Sequence, residues 1–184
     1  MENVNFKKLK ILKLGQNNIS DIKVLEKVKF EKLEKLDLGK NRISSIDILK
    51  NVNFKELKEL YLYDNNICDI KVLEKVKFEK LEKLDLGKNI ISNIDTLENV
   101  NFKELKELCL YNNNITDIKV LEKVKFEKLE KLDLEGNQIS NINMLENINF
   151  EELTELNLRN NNISDIEVLD NIQFEKFEQL NLLK

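Results

Sequence analysis

The sequence predicts an α/β solenoid. It is read as one right-handed coil whose strands stack into a parallel inner sheet, with short 3-10 or helical segments returning the chain along the outside. Two observations predict this. Phe6, Phe30, Phe54, Phe78, Phe102, Phe126, Phe150 and Phe174, eight of the nine phenylalanines, each lie 24 residues from the next. A fixed period of about 20–50 residues marks stacked repeats. Within each period the apolar spacing switches from two residues to three. Spacing two is a half-buried strand, and spacing three suits a 3-10 turn.

One unit, Phe54 to Lys77, shows the elements in order. Counting the phenylalanine as position 1, Leu60 and Leu62 at positions 7 and 9 alternate with Glu59, Tyr61 and Tyr63, which predicts a strand with one face buried. Asn65 at position 12 closes the strand and recurs as Asn17, Asn41, Asn89, Asn113, Asn137 and Asn161. Ile67, Ile70, Leu73 and Val76 follow at spacing three and predict the return segment. Asp69, or Cys68 in a Ser/Thr column, is placed to cap it. One such unit cannot bury enough surface to fold alone, so neighbours must share a core.

The period fixes the domain organisation. Residues 6–173 form seven units, 174–184 begin an eighth, and 1–5 read as the end of a preceding one. No linker interrupts them, so 1–184 reads as a single domain. A second period of 48 residues lies above the first. Units starting at Phe30, Phe78 and Phe126 share Leu-Asp-Leu, and units starting at Phe6, Phe54 and Phe102 share DIKVLEKVK.

The unit pattern L-x-x-L-x-L-x-x-N-x-I-x-x-I-x-x-L-x-x-V resembles the leucine-rich repeat family over nearly the whole chain. Its second half, N-x-I-x-x-I-x-x-L, looks like the short class found in phosphatase-regulatory subunits and bacterial internalins. The resemblance implies that the position-12 asparagines bond backbone groups of adjacent turns. It also implies that a concave sheet face binds a protein partner.

Composition narrows the chemistry. The 30 Lys+Arg and 34 Asp+Glu residues give a net charge of −4, and there is no His, Pro or Trp. No imidazole is available as a base or metal ligand. The balanced charge lacks the basic footprint that nucleic acid requires. No apolar run reaches the roughly 20 residues of a membrane helix, and mixed charge on the return segments gives anionic lipid no basic patch. Met1 to Lys10 holds no apolar signal-peptide core. With two cysteines set too far apart to bridge, this places the chain in the cytoplasm as an expectation. No cofactor, metal or catalytic residue is expected: Cys109 has no histidine to activate it.

Candidate binding residues lie on the open face of the sheet, at positions 8 and 10. They are Asp37, Tyr61, Tyr63, Asp85, Cys109, Tyr111, Asp133 and Arg159. Tyrosine offers broad apolar area with one polar tip and is enriched at interfaces. Gly39 and Gly87 leave room beside Tyr63 and Tyr111 for rings to lie along the face. Asp37, Asp85 and Asp133 recur every second strand, about 10 Å apart, too far to share an ion, and read as a solvated column. At position 6, Lys35, Glu59, Lys83, Glu107, Lys131 and Glu155 alternate as a charge ladder.

The function expected is a protein-binding module working through this concave face, either whole or a piece of a larger protein. The alternative is a repeat scaffold, engineered or consensus-like, with no natural partner; near-identical 48-residue blocks suit it. The last unit is expected to self-associate end to end or to fray over Phe174 to Lys184, because Leu180, Leu182 and Leu183 leave an uncovered apolar end and Phe177 breaks the leucine column.

Overall fold

The computed structural model describes residues 6–172 and 175–182. The strand residues of every unit emerge as a three-residue strand: β1 (Ile11–Lys13), β2 (Lys35–Asp37), β3 (Glu59–Tyr61), β4 (Lys83–Asp85), β5 (Glu107–Cys109), β6 (Lys131–Asp133), β7 (Glu155–Asn157) and β8 (Gln179–Asn181). They form one parallel sheet in sequence order, β1 to β8, each residue in register with the one 24 further on. The central leucine of each of β2 to β7 is buried and its two flanking residues are more exposed, as period-two alternation requires.

Position 11 turns the chain out of the strand. Gln16, Lys40, Asp64, Lys88, Asn112 and Asn160 all have φ between 50° and 60° there, and Gly136 has φ 66°. Glycine, Asn and Asp tolerate this left-handed region, but two lysines and a glutamine hold it too. What keeps them there is the stack: the Lys40 N–H donates to the Tyr63 carbonyl at 2.8 Å, and the Lys88 N–H to the Tyr111 carbonyl at 2.7 Å.

The asparagine column does what the resemblance implies. Asn65 Nδ2 donates to the carbonyls of Leu62 at 3.0 Å and Leu38 at 3.1 Å, and its Oδ1 accepts from the Ile43 N–H at 2.9 Å. Asn41, Asn89, Asn113, Asn137 and Asn161 repeat the pattern. Each is buried with its donors and acceptor matched, which is the condition for a polar side chain in a core.

The spacing-three segment forms a 3-10 turn in every complete unit, from Lys23–Glu26 to Glu167–Asn171. Its defining bond runs from position 20 to position 17, as in Leu73 N–H to the Ile70 carbonyl at 2.9 Å. The capping position is the isoleucine at position 17, which offers no side-chain bond, so neither expected residue is the cap; position 16, one residue earlier, closes an Asx-type turn instead. Asp69 Oδ1 accepts the Lys71 N–H at 2.8 Å, as Asp21, Asn93 and Asp117 do in their units. Cys68, offered as an alternative cap, is exposed.

The core runs the length of the coil between sheet and return turns. Phe54, Phe78, Phe102 and Phe126 are fully buried, and consecutive rings from Phe6 to Phe78 have centroids 5.8–6.3 Å apart. A ninth apolar column also packs inward. Val72, Thr96, Val120, Met144 and Val168 at position 19 are 6–9% exposed. The buried hydroxyl of Thr96 donates to Glu74 at 3.0 Å. At the far end, Phe177, Leu180 and Leu182 are partly buried against the core. Phe174, Leu183 and Lys184 lie outside the described residues.

Candidate protein-binding face

The open face of the sheet is built from positions 6, 8 and 10. The backbone alternation that buries the leucines turns these side chains outward. At position 6 the charge ladder forms: Lys35 Nζ lies 2.6 Å from Glu59 and Lys131 Nζ 2.7 Å from Glu155, and Lys83 pairs with Glu107. Two further ladders flank it. At position 3, Lys80–Glu56, Lys128–Glu104 and Lys176–Glu152 pair at 2.6–2.7 Å. At position 5, Glu34 is held by Lys10 at 2.7 Å and Lys58 at 3.2 Å, and Glu82 by Lys106 at 3.2 Å.

Strand register brings Tyr61, Asp85, Cys109 and Asp133 into one row, Tyr61 beside Asp85 and Asp85 beside Cys109. Tyr61 is anchored within its own ladder. Its hydroxyl donates to Glu59 Oε2 at 2.8 Å, and Lys35 Nζ stands 4.5 Å from its ring centroid. Burial, then Glu59, raises its pKa.

Tyr63 and Tyr111 lie along the face as the glycines allow. The Tyr63 ring occupies the space a Cβ on Gly39 would take, and the Tyr111 ring does the same over Gly87. Both rings are half-buried, and burial raises both hydroxyl pKa values.

The aspartates depart from the solvated column expected of them. All three are half-buried, and each spends one oxygen on a turn: Asp37 Oδ1 accepts the Gly39 N–H, Asp85 Oδ1 the Gly87 N–H and Asp133 Oδ1 the Glu135 N–H, each at 3.0 Å. Burial pushes the carboxyls of Asp85 and Asp133 above the ordinary range, against the pull of those N–H donors. None of the three is in an ion pair among the described residues. Lys35, Lys83 and Lys131, on the same strands as the three aspartates, are paired with glutamates, and the exposed Lys13 is the register neighbour of Asp37 on β1. Burial weakens the charge of Lys83, yet the bond from Glu107 lifts its pKa overall.

Cys109 sits between Asp85 and Asp133, and its thiol is pushed up to about 12, first by burial and then by those two carboxylates. A nucleophilic cysteine needs the opposite shift. Arg159, at position 10 of the β7 unit, is exposed and two units past Tyr111, with Glu135 between them accepting from Asn157 and Asn160 at 3.0 Å each. The structure therefore gathers Tyr61, Tyr63, Asp85, Cys109, Tyr111 and Asp133 together, with Asp37 at one edge, and leaves Arg159 outside.

Residues 7–51, 55–99 and 103–147 match the profile described as leucine rich repeats (2 copies), and residues 153–166 match a leucine rich repeat profile. The three long matches begin 48 residues apart, on the larger period of the sequence. A comparison with curated proteins finds no match. Among solved structures, an internalin (InlF) from Listeria monocytogenes is 29% identical with a TM-score of 0.76, over 93% of this chain and 47% of that one. Internalin C2 from the same species is 28% identical with a TM-score of 0.78, over 97% of this chain and 72% of that one. A Leptospira interrogans leucine-rich repeat protein is 26% identical with a TM-score of 0.63, over 92% and 49%. The chain thus spans about half the length of InlF and of the Leptospira protein.

Proposed function

Because the chain belongs to the leucine-rich repeat family, we propose that it is a protein-binding module whose concave sheet face is the recognition surface. One observation carries the reading. Two tyrosine rings, Tyr63 and Tyr111, lie over glycines beside half-buried aspartates that make no ion pair among the described residues. Rigid aromatic area next to unmet charge is the composition of an interface centre. The module is non-enzymatic in this reading. Free Cys68 and Cys109 suit a reducing, cytoplasmic setting.

A second reading, a repeat scaffold with no natural partner, is favoured by the near identity of the 48-residue blocks. Affinity capture separates the two. The chain and a Tyr61→Ser/Tyr63→Ser/Tyr111→Ser variant are compared as baits in cell extract. The module reading expects proteins that the variant loses. Capture of the same proteins by both baits, or of none by either, overturns it.

A further inference from the structure

We propose that the occupant of this face is a cationic segment in polyproline II conformation, with lysine or arginine at every third residue, lying across β2 to β6. This rests on the concave-face reading above and names the chemistry of its partner.

Charge complementarity is the first argument. At positions 8, 10 and 11 of the units containing β2 to β6 stand five acids, Asp37, Asp64, Asp85, Asp133 and Glu135, against two bases, Lys40 and Lys88. The position-6 lysines cannot offset this excess, since each is held by a glutamate. Asp85 and Asp133 are already partly desolvated, so a cation that seats on them meets a poorly screened charge.

Spacing is the second. Asp37, Asp85 and Asp133 share one register row on alternate strands, and two strand spacings are about 9.6 Å. Polyproline II has three residues per turn and a rise of about 3.1 Å, so every third side chain falls on one side about 9.3 Å apart. A β-strand repeats its same-side residues at about 6.7 Å and misses the row. The third argument is the surface between the acids. Tyr61 stands between Asp37 and Asp85 in the row, and beside the row Tyr63 and Tyr111 alternate with Gly39 and Gly87; polyproline II segments dock on aromatic-lined grooves.

The test uses the full chain and two labelled peptides of equal composition. One carries Lys-Pro-Pro four times; the other has its four lysines in a block. Binding is read by fluorescence anisotropy. Wild type is expected to prefer the spaced peptide by about threefold or more, and Asp37→Asn/Asp85→Asn/Asp133→Asn to lose about tenfold or more for it. Asparagine keeps the turn, because Asn157 Oδ1 already accepts the Arg159 N–H at 3.2 Å in the seventh unit. A cooperative thermal transition at or above the wild-type midpoint verifies that the variant is folded. Neutralising three exposed acids off the face, Glu31→Gln/Glu79→Gln/Glu127→Gln, is expected to leave binding as it was.

Equal binding of the two peptides, or equal loss from the off-face control, overturns the proposal. So does absence of peptide binding. If the tyrosine variant still loses captured proteins while the peptide fails, the cationic occupant falls and the concave-face reading stands. If the tyrosine variant loses nothing, the face itself is the wrong surface.

Discussion

Asn89 shows how much one side chain can hold. It serves four backbone groups in two units: the carbonyls of Leu62 and Leu86, both at 3.0 Å, the Gly87 carbonyl at 3.2 Å, and the Ile67 N–H at 3.0 Å. Truncation leaves these buried groups without partners. Asn89→Ala is expected to cost about 2–4 kcal/mol in urea denaturation, an amount that a packing role alone would not produce for so small a side chain. Asp85 makes the opposite case. Its pKa is raised in the folded chain, so the folded state takes up the proton more readily than the unfolded one. Its charged form therefore costs stability at neutral pH. That cost disappears as pH falls through the raised native pKa to the unfolded value of about 3.9. Asp85→Asn is expected to be more stable than wild type at pH 7 and to lose the advantage below pH about 4. A constant advantage across the range would show that the carboxylate's burial is not the cause.

At the scale of elements, strand, asparagine column and 3-10 turn could all be read from spacing, because each answers to a local rule of period two or three. What could not be read answers to neighbours in the stack. Position 19 is apolar in most units, yet it falls outside the period-three set; only the approach of adjacent turns buries it. Tyr61 read as a free interface ring, and its tether to Glu59 and Lys35 depends on side-chain reach across one strand. The aspartates read as solvated because their backbone acceptor role at position 10 is invisible in a one-letter pattern. The ladders at positions 3 and 5 are legible in the sequence as alternating charge. All three ladders predict that like charges in one row are unfavourable. Glu107→Lys would set a third lysine between Lys83 and Lys131 and is expected to destabilise by about 1 kcal/mol, with about half of the loss recovered on adding Lys131→Glu and Glu155→Lys, which leave a single like-charge junction, the row ending on the neutral Gln179. Equal midpoints for the single and triple variants would show that the ladder contributes nothing.

For the whole molecule, the decisive fact is that each unit touches only the next. The strand order is the sequence order, and the connecting bonds span 22–27 residues. Stability in such a chain is close to a sum over units and seams.

The alternating ladders give those seams a parity. Lys32, Glu34 and Lys35 at positions 3, 5 and 6 of the second unit meet Glu56, Lys58 and Glu59 of the third, opposite charge in every row. Excising residues 54–101 joins them to Glu104, Lys106 and Glu107, and every row still alternates. Excising 54–77 joins them to Lys80, Glu82 and Lys83, and every row carries like charges. The shorter deletion removes less core, yet its new junction is expected to cost about 0.2–1 kcal/mol per row. Fitted to a nearest-neighbour description of urea unfolding, the 48-residue deletion should preserve the mean seam energy and the 24-residue deletion should lower it at one junction. Growth or loss of this chain by recombination is thereby quantised in pairs of units, an even-number rule written in lysine and glutamate.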